Sequence, residues 1–259
     1  MFYYEEIMLK DRILPAKVAL ITGSARRIGA DIAKTLHACG MNIVLHYFKS
    51  QTEVKELCAD LNQQRADSAI YLQADLNDTP RLAALVDQAA KKWDRLDCLI
   101  NNASRFYSTG LGKVTEFAWN DLLGSNLKAP FFLSQAAIPY LKKDKGCIIN
   151  LADIHGERPL REYSPYCISK AGMIMLTKCL AKELGPEIRV NAVSPGPVLW
   201  PEGTNLLNDE TKQELIKRTS LRRQGDPHEI AKAVRYLVND ADYVTGQIMV
   251  VDGGRSLVI

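Results

Sequence analysis

The stretch Lys17 to Gly40, KVALITGSARRIGADIAKTLHACG, decides how the chain is read. A short apolar, β-leaning run (KVALIT) stops at Gly23, and from Ile28 the apolar positions Ile28, Ile32 and Leu36 recur at helical spacing until Gly40. This predicts strand, glycine turn and helix. The same unit recurs downstream. Met41 to His46 reads as a second strand, with Ser50 and Glu53 at capping-box spacing before a helix to about Asn62. Ser68 to Ala74 is a third strand, followed by a helix opened by Pro80 and running to Trp93. Leu96 to Ile100 is the fourth strand, and Thr115 to Leu141 reads as one helix, bent or restarted near Pro130 and Pro139. Gly146 to Leu151, a helix from about Pro165 to Leu184, and Ile188 to Val193 continue the alternation. After the loop SPGPVLWPEGTN come a polar helix near Asp209 to Arg218, a helix with Asp226 as N-cap and Pro227 at N1, and a last strand, Gln247 to Val251.

Strands alternating with helices of this length predict parallel pairing through right-handed crossovers, hence an α/β doubly wound sheet with helices on both faces. Ligands of such sheets bind beyond the carboxyl ends of the strands. Here those ends carry Gly23, His46, Asp75, Asn102, Asp153 and Ser194.

With 259 residues, 47% hydrophobic and 24% charged, the composition is that of an ordinary soluble globular chain, read as one domain over residues 15–259 after an N-terminal extension, residues 1–14. The extension carries acidic residues and lacks an uninterrupted apolar core, which argues against a secretory signal. A formal charge of +3 from scattered basic residues argues against a nucleic-acid or membrane surface. Six cysteines without CxxC pairing or metal-ligand spacing predict reduced core or near-core thiols, a cytoplasmic setting and no metal site.

The first turn, Thr22 to Gly29, brings glycines and a helix N-terminus together, which suits a dinucleotide pyrophosphate. The end of the second strand, LHYFKS, then selects the cofactor. A ribose 2′-hydroxyl is met by a carboxylate there, whereas a 2′-phosphate is repelled by one. His46, Lys49 and Ser50 occupy this stretch, with no acid before Glu53, so NADPH is expected.

Further along, Asp153 ends a strand, and Tyr166 and Lys170 stand four apart on the following helix, one above the other on one face. A cation one turn from a phenol favours phenolate and is expected to lower its pKa. A carboxylate beside that phenol would repel the oxyanion of a reduced ketone. It suits a substrate with N–H donors and a ring nitrogen that gains a proton, as a pterin has. Phe106 offers a flat apolar face for such a ring, and Arg27 a donor fork. Asn102 and Asn126 are better functional candidates than Asn101, His46 and His155 are not read as catalytic, and Trp200 is placed to close over a substrate.

The chain resembles the short-chain dehydrogenase/reductases over about residues 16–256, through TGSARRIG, Asp75, NNAS at 101–104, Asn126 in SNLKAPF, Tyr166 and Lys170, the PGP at 195–197 and the terminal VDGG. The resemblance implies a Rossmann-type sheet of about seven parallel strands and usually a homotetramer built on helix pairs. It also implies a catalytic set of Asp153, Tyr166, Lys170 and Asn126. The cofactor surface it implies comprises Gly23, Arg27, Ile28, Gly29, His46, Tyr47, Phe48, Lys49, Ser50, Asp75, Leu76, Asn102, Ala103, Ser104, Tyr166, Lys170, Pro195 and Gly196.

Two departures from the family pattern, Arg27 for a glycine and Asp153 for a serine, look like the pteridine reductase branch. That resemblance implies NADPH-dependent reduction of dihydrobiopterin, dihydromonapterin or dihydrofolate. It places Arg27, Ser104, Phe106, Asp153, Tyr166 and Trp200 around the substrate, with Lys49 where the branch often has arginine. The rivals are a carbonyl reductase of the same family, acting on 3-oxoacyl thioesters or quinones, and a non-catalytic NADPH-binding sensor.

Overall fold

The computed structural model describes residues 16–200 and 206–257. The N-terminal extension and residues 201–205 of the loop after PGP lie outside the described residues. Seven strands form one parallel sheet in the order β3-β2-β1-β4-β5-β6-β7. They are β1 Val18–Ile21, β2 Asn42–Tyr47, β3 Ala69–Gln73, β4 Cys98–Asn101, β5 Cys147–Leu151, β6 Arg189–Pro195 and β7 Ile248–Val251. The helices are α1 Arg27–Ala38, α2 Gln51–Gln64, α3 Leu82–Lys91, α4 Glu116–Leu123, α5 Ala129–Lys143, α6 Ser164–Leu184, α7 Asp209–Lys217 and α8 Pro227–Asn239.

The two-residue period of a strand divides the core. In β1, Ala19 and Ile21 face one apolar layer with Ile32 and Leu36 of α1, Val54 and Leu57 of α2, and Ile230 and Val234 of α8. Val18 and Leu20 face the other, with Val86 of α3, Leu133 and Leu141 of α5, and Met173 and Leu180 of α6. Strands covered on both faces read as apolar runs, as VALI and the first three residues of CLIN do. The sheet grows outward from β1 through β2 to β3, then restarts on the opposite side of β1 with β4. The chains leaving β1 and β4 therefore diverge and open a crevice at the carboxyl edge.

Four local expectations need correction. Ser50 is the N-cap of α2, yet its side chain makes no capping bond. Its φ of −82° and ψ of 62° depart from the extended conformation that aims a cap oxygen into the helix. The capping box lies instead at α8, where Asp226 accepts from His228 N and Glu229 reaches back to Asp226 N. Pro80 sits in a 3₁₀ turn, Thr79–Arg81, ahead of α3. The long helix is interrupted by a π-turn, Gly124–Lys128, and not at Pro139, which α5 accommodates internally. Pro130 lacks an N–H for the carbonyl four residues back, so the ladder widens just before it. Of the cysteines, Cys58, Cys98 and Cys147 are buried, but Cys39 and Cys179 are exposed and are not core thiols.

The start of β4 is tied to β1 by Asp97, 4% exposed, whose carboxylate accepts from Val18 N at 2.8 Å and from Arg95 Nε and Nη2 at 2.7 and 2.8 Å. Removing one member of a buried charged pair strands the other. Asp97→Ala is expected to lower stability by about 3 kcal/mol, read as a reduced urea midpoint with an unchanged slope.

Candidate active site

At the end of β5, Asp153 caps a 3₁₀ turn, Ile154–Gly156, through His155 N donating to its Oδ1 at 2.8 Å. Its other oxygen, Oδ2, accepts from the Tyr166 hydroxyl at 2.7 Å. Tyr166 lies in the first turn of α6, and Lys170, one turn on, donates from Nζ to Leu151 O at 2.9 Å. Both are buried, at 4% and 3% exposure. Burial and the Asp153 carboxylate hold the Tyr166 hydroxyl well above its ordinary range, while burial brings Lys170 down to about 8 against the pull of Asp153. The expected lowering of the phenol by Lys170 is thus overturned in this arrangement. The ammonium, 5.7 Å from the ring centroid, is outweighed by a carboxylate in direct contact with the hydroxyl. Asn126, fully buried in the π-turn, donates to Arg105 O and Ser169 Oγ and accepts from Arg105 N. It braces the loop after β4 against α6.

Phe106, from that loop, meets Tyr166 edge-on at 4.8 Å and 81°, and stacks on Tyr163 at 4.6 Å and 16°. Tyr163 was not singled out in the sequence. Its signal was its place three residues before Tyr166, on the approach to the same helical face. Ser104, two residues before Phe106 in the chain, is exposed. Trp200 is linked to the site through its backbone carbonyl, which accepts from Arg27 Nη2 at 3.1 Å.

The nucleotide side is held by the glycine turn. Gly23 has φ +61°, and a Cβ there would lie 2.9 Å from Ala103 Cα. A Cβ on Gly29, in α1, would meet Gly23 O at 2.4 Å, so only glycine lets the helix start so close to the turn. Asn102 donates from Nδ2 to Thr22 O and Gly23 O at 2.8 and 3.0 Å, which makes it a clasp for the turn. His46 is likewise internal. It is 2% exposed, accepts from Gly23 N at Nδ1 (3.1 Å) and meets Ala74 O at Nε2 (3.1 Å), so the network assigns the proton to Nε2. Its expected place on the cofactor surface is therefore corrected to one behind the turn. Tyr47 is buried against Tyr71, with ring centroids 6.0 Å apart, and Leu76 is buried too. Their side chains belong to the core.

Phe48, Lys49, Ser50 and Asp75 reach the surface of the edge, with the Lys49 ammonium 5.2 Å from the Phe48 ring centroid. Ala103 is partly buried at the same edge, and Ile28 packs on the core from the first turn of α1. Pro195 is buried at the end of β6 and Gly196 follows it.

These groups fit an anionic dinucleotide. The N-terminus of α1 has no side-chain cap and no acid in its first turn, and Arg26 and Arg27 stand there. Arg27 adopts φ +57°, a left-handed conformation that turns the chain sharply into the helix. No carboxylate lies between His46 and Thr52, at the end of β2, so no acid there would repel a ribose 2′-phosphate.

Burial lowers the pKa of His46 from 6.5 to about 4. The unfolded chain takes up this proton more readily, so the stability from neutral His46 is complete above about 6.5 and is lost as pH falls toward 4. That loss is on the order of 3 kcal/mol. His46→Asn should flatten this part of the stability–pH curve relative to the parent protein, as urea titrations across the interval would show.

A family model described as enoyl-(acyl carrier protein) reductase matches residues 23–256, which span the glycine turn through the last strand. Ketoacyl reductase 2 of the granaticin polyketide synthase from Streptomyces violaceoruber is 36% identical, over 93% of this chain and 97% of its own. Pteridine reductase 1 of Leishmania tarentolae is 35% identical, over the same shares. The 3-oxoacyl-(acyl-carrier-protein) reductase of Staphylococcus aureus strain Mu50 is 35% identical, over 92% of this chain and 97% of its own. With its seven-stranded parallel sheet and the Asp153, Tyr166 and Lys170 cluster at the carboxyl edge, the chain belongs to the short-chain dehydrogenase/reductase family of oxidoreductases.

Proposed function

We propose that this chain reduces pterins with NADPH, taking dihydrobiopterin, dihydromonapterin or dihydrofolate to the tetrahydro form. The hydrogen bond from the Tyr166 hydroxyl to Asp153 Oδ2 carries this reading. A carboxylate at that place opposes the oxyanion of a carbonyl reduction and suits a heterocycle rich in N–H donors. The pteridine reductase among the relatives supports the same choice.

The α1 N-terminus with Arg26 and Arg27 would hold the cofactor pyrophosphate, Lys49 and Ser50 its 2′-phosphate, and Tyr166 and Lys170 its nicotinamide ribose. Bound there, the cofactor supplies the hydride that a ring C=N carbon receives. The adjacent nitrogen then needs a proton, so that C=N becomes CH–NH. Release from Tyr166 alone would leave a phenolate 2.7 Å from the Asp153 carboxylate, which burial and charge both oppose. Tyr166 therefore hands its proton to the nitrogen as water supplies another, and the phenol ends neutral beside the Asp153 carboxylate. Phe106, backed by Tyr163, gives the pterin a flat wall beside Tyr166. A homotetramer belongs to the same proposal, supported by Phe117 and Phe131, 78% and 43% exposed on the α4–α5 face.

The ketoacyl reductases among the relatives favour a second reading, reduction of a 3-oxoacyl thioester. NADPH oxidation with the three pterins and with acetoacetyl thioesters separates the two, and absence of turnover on every pterin removes the first. Tyr166→Phe should bind NADPH normally and lose about 10²–10⁴-fold in turnover. Asp153→Ser should lose pterin reduction, and unchanged pterin kinetics would show the carboxylate to be structural. Turnover is also expected to decline toward alkaline pH, as Lys170 gives up its charge above about 8. A rate profile that stays level through that limb would refute this protonation scheme.

A further inference from the structure

The three residues after Ser104 divide between the catalytic half of the crevice and α4. Phe106 stands in the catalytic half, against Tyr166 and Tyr163. Tyr107 donates its hydroxyl to Asp121 Oδ2 at 3.0 Å, on α4. Arg105 reaches the same carboxylate and the ends of β2 and β3, with its guanidinium ion-paired to Asp121, 3.8 Å from Asp75 and 6.0 Å from the Phe48 ring centroid. Asp121, its side chain 10% exposed, also accepts from Asn77 Nδ2 at 3.2 Å. The backbone of Arg105 is clamped on both sides by Asn126, which accepts from its N–H at 2.7 Å and donates to its carbonyl at 2.9 Å.

This places one residue across the two halves of the crevice. A peptide clamped at N–H and C=O keeps a hinge only in its side chains and in the next φ. The ion pair restrains the side-chain freedom that Arg105 retains, and Phe106 is the next residue along that held backbone. Phe48 and Asp75 lie where the nucleotide ribose and base approach such a sheet. A guanidinium bridging two carboxylates resists displacement more than a lysine would, because its planar fork serves both at once.

We propose that Arg105 is a positioning residue that joins the nucleotide end of the crevice to the substrate wall, holding Phe106 in register with Tyr166 through its ion pair with Asp121. This rests on the pterin reading for the substrate and on the dinucleotide fit alone for the cofactor. Loss of the side chain loosens the Phe48 and Asp75 surface directly and the Phe106 wall through the shared backbone. Tyr166, Asp153 and Lys170 make no contact with the guanidinium and keep their chemistry.

The test measures NADPH binding by calorimetry without substrate, together with dihydrobiopterin kinetics, for the parent protein, Arg105→Ala, Arg105→Lys and Asp121→Asn. Arg105→Ala is expected to weaken NADPH about fivefold and raise the pterin KM about tenfold, with kcat changed less than about threefold. Arg105→Lys should recover part of both losses. Asp121→Asn keeps an acceptor for Tyr107 and should reproduce the Arg105→Ala pattern in weaker form. Unchanged NADPH affinity and KM in Arg105→Ala overturn the proposal. So does a fall confined to kcat, or a loss that lysine does not relieve, since general loosening gives that pattern. If no pterin reacts, the pterin reading fails, and Arg105 is still judged by NADPH binding.

Discussion

The crevice exists because two neighbouring strands send their chains apart and a few hydrogen bonds hold the parting point shut. Thr22 Oγ1, at the end of β1, accepts from Asn102 N and Ala103 N at 2.9 and 3.0 Å, beyond the end of β4. Asn102 returns two bonds from its amide to Thr22 O and Gly23 O. These groups have left the sheet ladder, and with Thr22 buried, pairing with each other satisfies them. The clasp fixes the glycine turn on one side and the loop bearing Arg105 and Phe106 on the other. Every group of the site on those two segments takes its position from it.

Around that clasp, polar residues divide into those that build the edge and those that face outward from it. His46 and Asn102 sit behind the turn and shape it, while Lys49, Ser50 and Arg26 stand in front. A neutral imidazole suits the inner role because one nitrogen accepts and the other donates, matching one N–H and one carbonyl. On the catalytic side the same division separates Asn126, wholly internal, from Tyr166, whose hydroxyl ends at the carboxylate of Asp153.

Much of this could be read from the chain. Seven apolar runs and their helices gave the strand order its raw material, since period and turn chemistry are local properties. Tyr166, Lys170 and Asp153 were legible because helical spacing and strand ends are local too. The role of His46 was not, because its partners Gly23 and Ala74 lie 23 and 28 residues away. Tyr163, the Arg105–Asp121 pair and the clasp by Asn102 depend in the same way on residues brought together only by the sheet. The π-turn before Pro130 was half legible. The proline announced a disturbance, but where the ladder would widen depended on Asn126 finding Arg105 and Ser169.

Asp153 has two duties, capping the turn Ile154–Gly156 and receiving the phenol proton in a hydrogen bond. Serine and aspartate are nearly equal as caps, yet they differ by a full charge. The backbone there is therefore almost indifferent to which of them it carries, whereas the reaction centre is not. A change at this one position alters the electrostatic character of the site while leaving the local chain path intact.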